Sequence, residues 1–279
     1  MRVAFLGPAG TFTEEALRAS APGPVEELPF QTVEDAALAV QRGEADRAVV
    51  PIENALEGAV TATLDLLADE QSELRIAAEV VHPIRHCLIA RDDLELGEIE
   101  RVVSHPQALA QCARFLSERL PAAERASAAS TAEAVRLVAE SERPWAALGS
   151  ALAAERYGCR VLASGVEDGD ANVTRFVWLR RASEAAEAGD KTSVVFWGFN
   201  DDSPGALVAV LSEFADRGIN LTKIESRPRR VRLGHYMFFA DLDGSEDDAR
   251  VSEALDALRG RVETLRVLGS YSVAPGPPS

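Results

Sequence analysis

The segment Arg2-Val3-Ala4-Phe5-Leu6-Gly7-Pro8-Ala9-Gly10-Thr11-Phe12-Thr13 runs apolar for a few residues, breaks at a Gly-Pro pair, and ends in polar residues ahead of Glu14. A short apolar run bounded by turn residues reads as a buried strand, and a threonine just before a helix supplies an oxygen to cap it. The same unit recurs along the chain. Apolar runs at 48–51, 76–81, 86–90, 102–104, 145–149, 161–163 and 176–179 are separated by helix-length amphipathic stretches such as 32–42 and 106–119. Pro106 falls at the first helical position, where its missing N–H is no loss. Alternation of this kind up to about residue 181 defines an α/β domain.

Beyond residue 182 the pattern changes. Residues 183–190 are small and polar without bulky apolar side chains, which predicts a linker. Residues 191–272 then read as strand 192–199, helix 204–217, strand 220–227, strand 235–241, helix 247–258 and strand 262–272, the βαββαβ order of a ferredoxin-like domain. The tail 273–279 carries three prolines and a glycine and is expected to fray.

With 279 residues, 47% hydrophobic and 27% charged, the chain has a globular composition long enough for one large or two moderate domains. No apolar stretch has the length of a secretory signal or a membrane span, so a cytoplasmic location is expected. Cys87, Cys112 and Cys159 are far apart and lack metal-ligand spacing, which points to buried thiols. The net charge of -16 argues against a nucleic-acid partner. Basic residues are almost all arginine; Lys191 and Lys223 are the only lysines. Such an acid excess repels itself in dilute buffer and is tolerated where salt screens it, the Debye length being about 3 Å at 1 M.

Three strand-to-helix junctions in the first domain carry chemistry: Gly7 to Thr13, Pro51-Ile52-Glu53-Asn54, and Ser104-His105-Pro106-Gln107. In an open α/β sheet such junctions line the crevice at the carboxyl ends of the strands, where free N–H groups and helix dipoles favour anions. Each also has an ordinary structural reading, Thr13 as a cap and Pro51 or Pro106 as turn punctuation. A fourth segment, Asn172-Val173-Thr174-Arg175-Phe176, places a hydroxyl, a permanent cation and an aromatic face together. A guanidinium grips carboxylates and a hydroxyl can hydrogen-bond a leaving oxygen. Neither a GxGxxG fingerprint nor a Walker motif occurs, so no phosphate or nicotinamide cofactor is expected. His82 and His86 are spaced i, i+4, but Pro83 between them argues for a strand, where that spacing builds no helical metal site. In the second domain, Asp201-Asp202-Ser203-Pro204-Gly205-Ala206-Leu207 opens a helix and 218–228 forms the following strand; a small regulatory ligand fits between them.

Six of these segments, in order and spacing, resemble the prephenate dehydratase family: Gly7-Pro8-Ala9-Gly10-Thr11-Phe12, Pro51-Ile52-Glu53-Asn54, Ser104-His105-Pro106-Gln107-Ala108 and Asn172 to Phe176 from the catalytic domain, with Gly205-Ala206-Leu207 and Glu225-Ser226-Arg227-Pro228 from the ACT domain that follows it. The resemblance implies an α/β catalytic domain over 1–182, two-lobed and like a type II periplasmic binding protein, with the substrate between the lobes and a regulatory ACT domain over 191–272. It implies conversion of prephenate to phenylpyruvate without metal or cofactor, phenylalanine as effector, and a homodimer or homotetramer. Arogenate dehydratase and a non-catalytic metabolite sensor are the alternatives. Within this frame Thr174 assists the leaving hydroxyl, Arg175 binds a carboxylate, Phe176 packs on the ring, and Glu53 is a candidate proton source. Thr11, Asn54, Ser104, Gln107 and Asn172 are expected to bind substrate. Gly205, Ala206, Leu207, Asn220, Leu221, Glu225, Ser226, Arg227 and Pro228 are expected to bind the effector. Ala55 stands where the family often has serine, and Thr13 keeps the hydroxyl of a serine position. In a regular strand Thr174 and Phe176 share a face and Arg175 points away, so joint action of Thr174 and Arg175 requires loop or bulged geometry at Thr174.

If the charge excess is an adaptation to high salt, the unfolding midpoint will rise in molar potassium chloride; equal midpoints with and without the salt would reject that reading.

Overall fold

The computed structural model describes residues 1–185, 189–199 and 203–274. The first lobe contains strands β1 (Arg2–Leu6), β2 (Glu26–Phe30), β3 (Arg47–Asn54), β4 (Gly58–Ala59) and β5 (Leu74–Pro83), with helices α1 (Phe12–Ser20), α2 (Val33–Gln41) and α3 (Thr61–Ala68). The second lobe contains β6 (Cys87–Ala90), β7 (Arg101–Ser104), β8 (Glu124–Ser127), β9 (Trp145–Gly149) and β10 (Arg160–Ser164), with α4 (Pro106–Gln111), α5 (Ala113–Arg119), α6 (Thr131–Ala139) and α7 (Ala151–Tyr157). Strand β11 (Val173–Arg181) returns to the first lobe. The C-terminal domain is β12 (Lys191–Trp197), α8 (Ala206–Ala215), β13 (Leu221–Pro228), β14 (Tyr236–Asp243), α9 (Ala249–Arg259) and β15 (Thr264–Tyr271).

The first sheet has the order β2-β1-β3-β11-β5, with β4 paired to β3, and the second the order β10-β6-β9-β7-β8. Strand β11 inserts antiparallel between β3 and β5, so the chain crosses twice between the lobes. The two crossings are bonded to each other, Ile84 N to Asn172 O at 2.8 Å and Val166 N to His86 O at 3.1 Å. This is the two-lobed arrangement expected. The third sheet, β13-β14-β12-β15, is antiparallel throughout and matches the βαββαβ expectation.

Strands β2 and β8 carry no apolar run and were not legible as strands. Both lie at the edge of a sheet with mostly exposed or half-exposed side chains, so burial imposes no hydrophobic pattern on them. The single helix expected over 106–119 is broken at Cys112, whose backbone (φ -114, ψ 19) leaves the helical region. Residues 186–188 of the expected linker, 275–279 of the expected tail and Asp201-Asp202 lie outside the described residues.

The regulatory sheet does not hang free. Val195, Trp197, Met237, Phe239, Leu268 and Tyr271 join Val50, Ile52, Ile76, Val177 and Leu179 of the first lobe in one continuous buried core. The two domains approach closely at Gly269, where a Cβ would clash with the Ile76 carbonyl oxygen and where φ is +151°. Gly269→Ala is therefore expected to cost about 2–4 kcal/mol, combining overpacking with backbone strain. Urea unfolding should show a lower midpoint at unchanged m-value; an unchanged midpoint would mean the domains are not pressed together there.

Candidate active site

One bulge decides which side chains of β3 enter the cleft. Along β11, Thr174 pairs with Asn54, Arg175 with Glu53, and Phe176 with Pro51, so Ile52 is an extra residue on β3. A regular β3 would put Glu53 beside Pro51 in the cleft and turn Asn54 away. The bulge reverses this from Ile52 onward, sending Asn54 to the cleft and Glu53 to the opposite face. Strand β11 itself is regular against β5 from Val173 to Phe176. The irregularity expected at Thr174 is thus in its partner strand. Thr174 and Phe176 face the cleft, and Arg175 does not.

The cleft encloses about 310 Å³ between the lobes. Of the residues proposed from the sequence, Thr11, Asn54, Gln107, Asn172, Thr174 and Phe176 line it, together with His86, Gln111, Ser130 and Thr131, which the sequence did not point to. Ser130 caps α6 by accepting from Glu133 N at 3.0 Å, and Thr11 caps α1 by accepting from Glu14 N at 3.4 Å. Two nine-residue helices thus direct their N-termini into one space, a setting that favours anions without a cation. Among the described lining residues there is no Arg, Lys, Asp or Glu.

Three expected site residues are placed elsewhere. Ser104 is fully buried and donates to Leu148 O at 2.7 Å, anchoring β7 to β9 beneath the cleft floor. Arg175 points to the regulatory domain, with Nη1 2.6 Å from Asp241 and 3.3 Å from Glu79. Glu53 sits beside it, paired with Lys223 at 2.8 Å. Neither Arg175 nor Glu53 touches the cavity, because the two-residue period of β11 and the bulge in β3 direct both to the far face.

A chain of hydrogen bonds runs through the cleft wall, and its polarity is fixed at one end. Asn54 Oδ1 accepts from the backbone of Leu56 at 2.9 Å and of Glu57 at 3.0 Å, so its Nδ2 must be the group that faces the cleft. That amide donates to Thr174 Oγ1 at 2.8 Å and to Asn172 Oδ1 at 3.0 Å. Asn172 Nδ2 then donates to Gln111 Oε1 at 2.9 Å. Gln111 Oε1 is consequently an acceptor for His86 Nε2 at 3.0 Å, which leaves Nδ1 of a neutral ring with its lone pair free. Burial pushes the His86 pKa down, favouring that neutral form. His86 also meets Phe12 edge-on, with ring centroids 5.4 Å apart. The consequence lies at Thr174: because its oxygen already accepts from Asn54, its own O–H is free to donate.

Of the expected effector residues, Gly205, Ala206 and Leu207 line a second cavity of about 300 Å³ with Phe199, Tyr236 and Phe238. Asn220 instead bonds Asp243 at 2.9 Å, and Leu221 packs into the core of the regulatory domain. Glu225, Ser226, Arg227 and Pro228 lie on β13, the outer strand of the sheet, and do not reach this cavity within one chain. Arg227 is tied to Asp65 of α3 at 2.9 Å.

A two-lobed α/β domain with a neutral, anion-directed cleft and an appended ferredoxin-like sheet defines a small-acid-binding catalytic unit with a regulatory module. The prephenate dehydratase model matches residues 3–184 and the ACT domain model residues 199–260. The chain is 42% identical over 278 residues to a prephenate dehydratase of Amycolatopsis methanolica, covering 99% of this chain and 90% of that protein. Among solved structures it is similar to prephenate dehydratase in complex with L-Phe from Arthrobacter aurescens, at 43% identity and TM-score 0.90, covering 100% and 92% of the two chains. It is also similar to GqqA, described as a novel type of quorum-quenching acylase, at 32% identity and TM-score 0.88 over 99% of each chain. The chain belongs to the prephenate dehydratase family.

Asn54→Ala is expected to lower kcat about 10²-fold with little change in KM, since the Thr174 proton loses its orientation while the anion-directed helix ends remain. A rise in KM at unchanged kcat would show that Asn54 only binds substrate.

Proposed function

We propose that the cleft converts prephenate to phenylpyruvate, water and carbon dioxide, and that phenylalanine regulates this at the C-terminal domain. The carrying observation is the Thr174 hydroxyl, held as a donor by Asn54 in a cleft whose described lining includes no Arg, Lys, Asp or Glu. In the reaction the bond from the ring to its carboxylate breaks, its electron pair enters the ring, and the C–O bond to the ring hydroxyl breaks at the opposite carbon. The departing oxygen gains negative charge and leaves as water, so one proton is taken up overall. A hydrogen bond from Thr174 to that oxygen strengthens as the charge develops, which is the kind of contact that raises kcat. Threonine is too weak an acid to transfer its proton outright, and the assistance is by hydrogen bonding.

The absence of a guanidinium from the described lining suits a decarboxylation. A carboxylate that must become neutral carbon dioxide is held back by any cation that stabilises its charged ground state. Helix N-termini and neutral amides position the dianion with less of that penalty. The same lining favours prephenate over arogenate, whose ammonium group would enter the cavity without a carboxylate partner. It also argues against the acylase reading. An activated nucleophile hands its proton to a base, whereas the Thr174 oxygen has an amide donor as its partner.

For the effector, the aromatic lining at Phe199 and Phe238 suits a phenyl ring. The Glu225 to Pro228 segment is brought to it by a second copy of the chain in a homodimer or homotetramer. Val231 and Leu233, 77% and 99% exposed just beyond β13, provide apolar surface for that contact. The catalytic domain occupies 1–182 and the regulatory domain 191–272. A cytoplasmic, high-salt setting accords with the charge of -16; no helix among the described residues is long and apolar enough to cross a membrane.

Purified protein incubated with prephenate should form phenylpyruvate. Thr174→Ala should lose about 10²–10³-fold in kcat, and Thr174→Ser should retain most of it. Indistinguishable variants would reject the hydroxyl role.

A further inference from the structure

Lys191 and Lys223 are the only lysines in a chain that otherwise uses arginine at all twenty-seven basic positions. Both are in one place. Lys191 Nζ lies 2.7 Å from Glu79, and Lys223 Nζ lies 2.8 Å from Glu53. Arg175 stands between them, 2.6 Å from Asp241, 3.3 Å from Glu79 and 3.4 Å from Glu53. Three cations and three carboxylates balance where the regulatory sheet meets the back of β11. A compact ammonium on a single carboxylate is what lysine offers and a wide guanidinium fork does not.

The cluster is built, not incidental. Burial works against the Arg175 charge, but the Asp241 and Glu79 carboxylates more than offset it, so its pKa is raised. Asp241 is held on its other oxygen by Ser193 at 2.6 Å, and Ser193 in turn by the fully buried Tyr271 at 2.6 Å. A bulge at Thr222 directs Lys223 into the cluster: Leu221 pairs with Leu242 in the regulatory core, and Lys223 pairs with Asp241 on the opposite face. The cluster is also incompletely bonded. Lys223 Nζ and Arg175 Nε are buried without a hydrogen bond of good geometry despite their ion pairs.

Each end of the cluster is one peptide from the catalytic hydroxyl system. Asp241 grips Arg175, the neighbour of Thr174; Lys223 grips Glu53, the neighbour of Asn54, which donates to Thr174. Strand β13 carries both Lys223 and the Glu225 to Pro228 segment. We propose that Arg175, Glu53 and Lys223 are positioning residues through which the regulatory domain sets the placement of Thr174, so that effector binding near β13 alters kcat through the Lys223–Glu53 and Asp241–Arg175 pairs. The effector half of this rests on the phenylalanine reading above; the positioning half does not. A cluster joining two domains by incompletely bonded ion pairs is the kind of element whose rearrangement both sites can bias.

The test separates binding from response. Phenylalanine affinity by calorimetry, and kcat and KM for prephenate with and without phenylalanine, are measured on the full-length protein carrying Lys223→Met, Glu53→Gln with Lys223→Met, or Arg175→Lys. Lys223→Met should bind phenylalanine within about twofold of wild type and be inhibited at least tenfold less at equal occupancy. The double variant leaves no unpaired charge and should fold even where a single one does not. Arg175→Lys should lose about tenfold in kcat at near-constant KM. Normal inhibition of Lys223→Met and of the double variant would overturn the coupling. An Arg175→Lys enzyme with unchanged kcat would overturn the positioning role, and a wild type that binds no phenylalanine would remove the effector reading without touching that result.

Discussion

The structure depends on the two-residue period of β11. One strand supplies an interior position of the first sheet, a wall of the cleft and the back face on which the C-terminal domain sits. Adjacent residues must therefore serve different sites. Thr174 and Phe176 go to the cleft, and Arg175, Val177 and Leu179 go to the shared core and its charged margin. A single peptide bond separates the cleft-lining Thr174 hydroxyl from the Arg175 guanidinium, which faces the C-terminal domain and pairs with Asp241.

Bulges do the rest of the sorting. Without the extra residue at Ile52, Glu53 would enter a cleft whose described lining residues include no Arg, Lys, Asp or Glu, and Asn54 would leave it. Without the one at Thr222, Leu221 and Ile224 could not share the face that carries Ala240 and Leu242. Each bulge turns a strand whose polar and apolar positions look out of phase into one that satisfies two environments in succession.

The fold was legible wherever burial imposes a pattern. The apolar runs of the central strands, the capped helix at 32–42 and the βαββαβ order all follow from side chains that must leave water. Edge strands β2 and β8 escaped because their exposure leaves composition free. Of the residues the sequence proposes for the site, Thr11, Asn54 and Gln107 belong to strand-to-helix junctions and Asn172, Thr174 and Phe176 to the opening of β11, and all six line the cleft. Glu53 and Arg175 are expected in the cleft from the family resemblance together with their chemical type, and strand phase directs both to the opposite face. His86, expected on a strand beside His82, lies instead on the crossing between β5 and β6, and neither it nor Gln111 at the end of α4 carries a local signal; only the hydrogen-bond chain from Asn54 gives them meaning.

The most direct test of this account is a crystal structure with phenylpyruvate, the proposed product, bound in the cleft. The account predicts a carboxylate against the N-terminal ends of α1 or α6, the ring against Phe176, and Arg175 still paired with Asp241. A ligand carboxylate gripped by the Arg175 guanidinium, with the Asp241 pair broken, would contradict it.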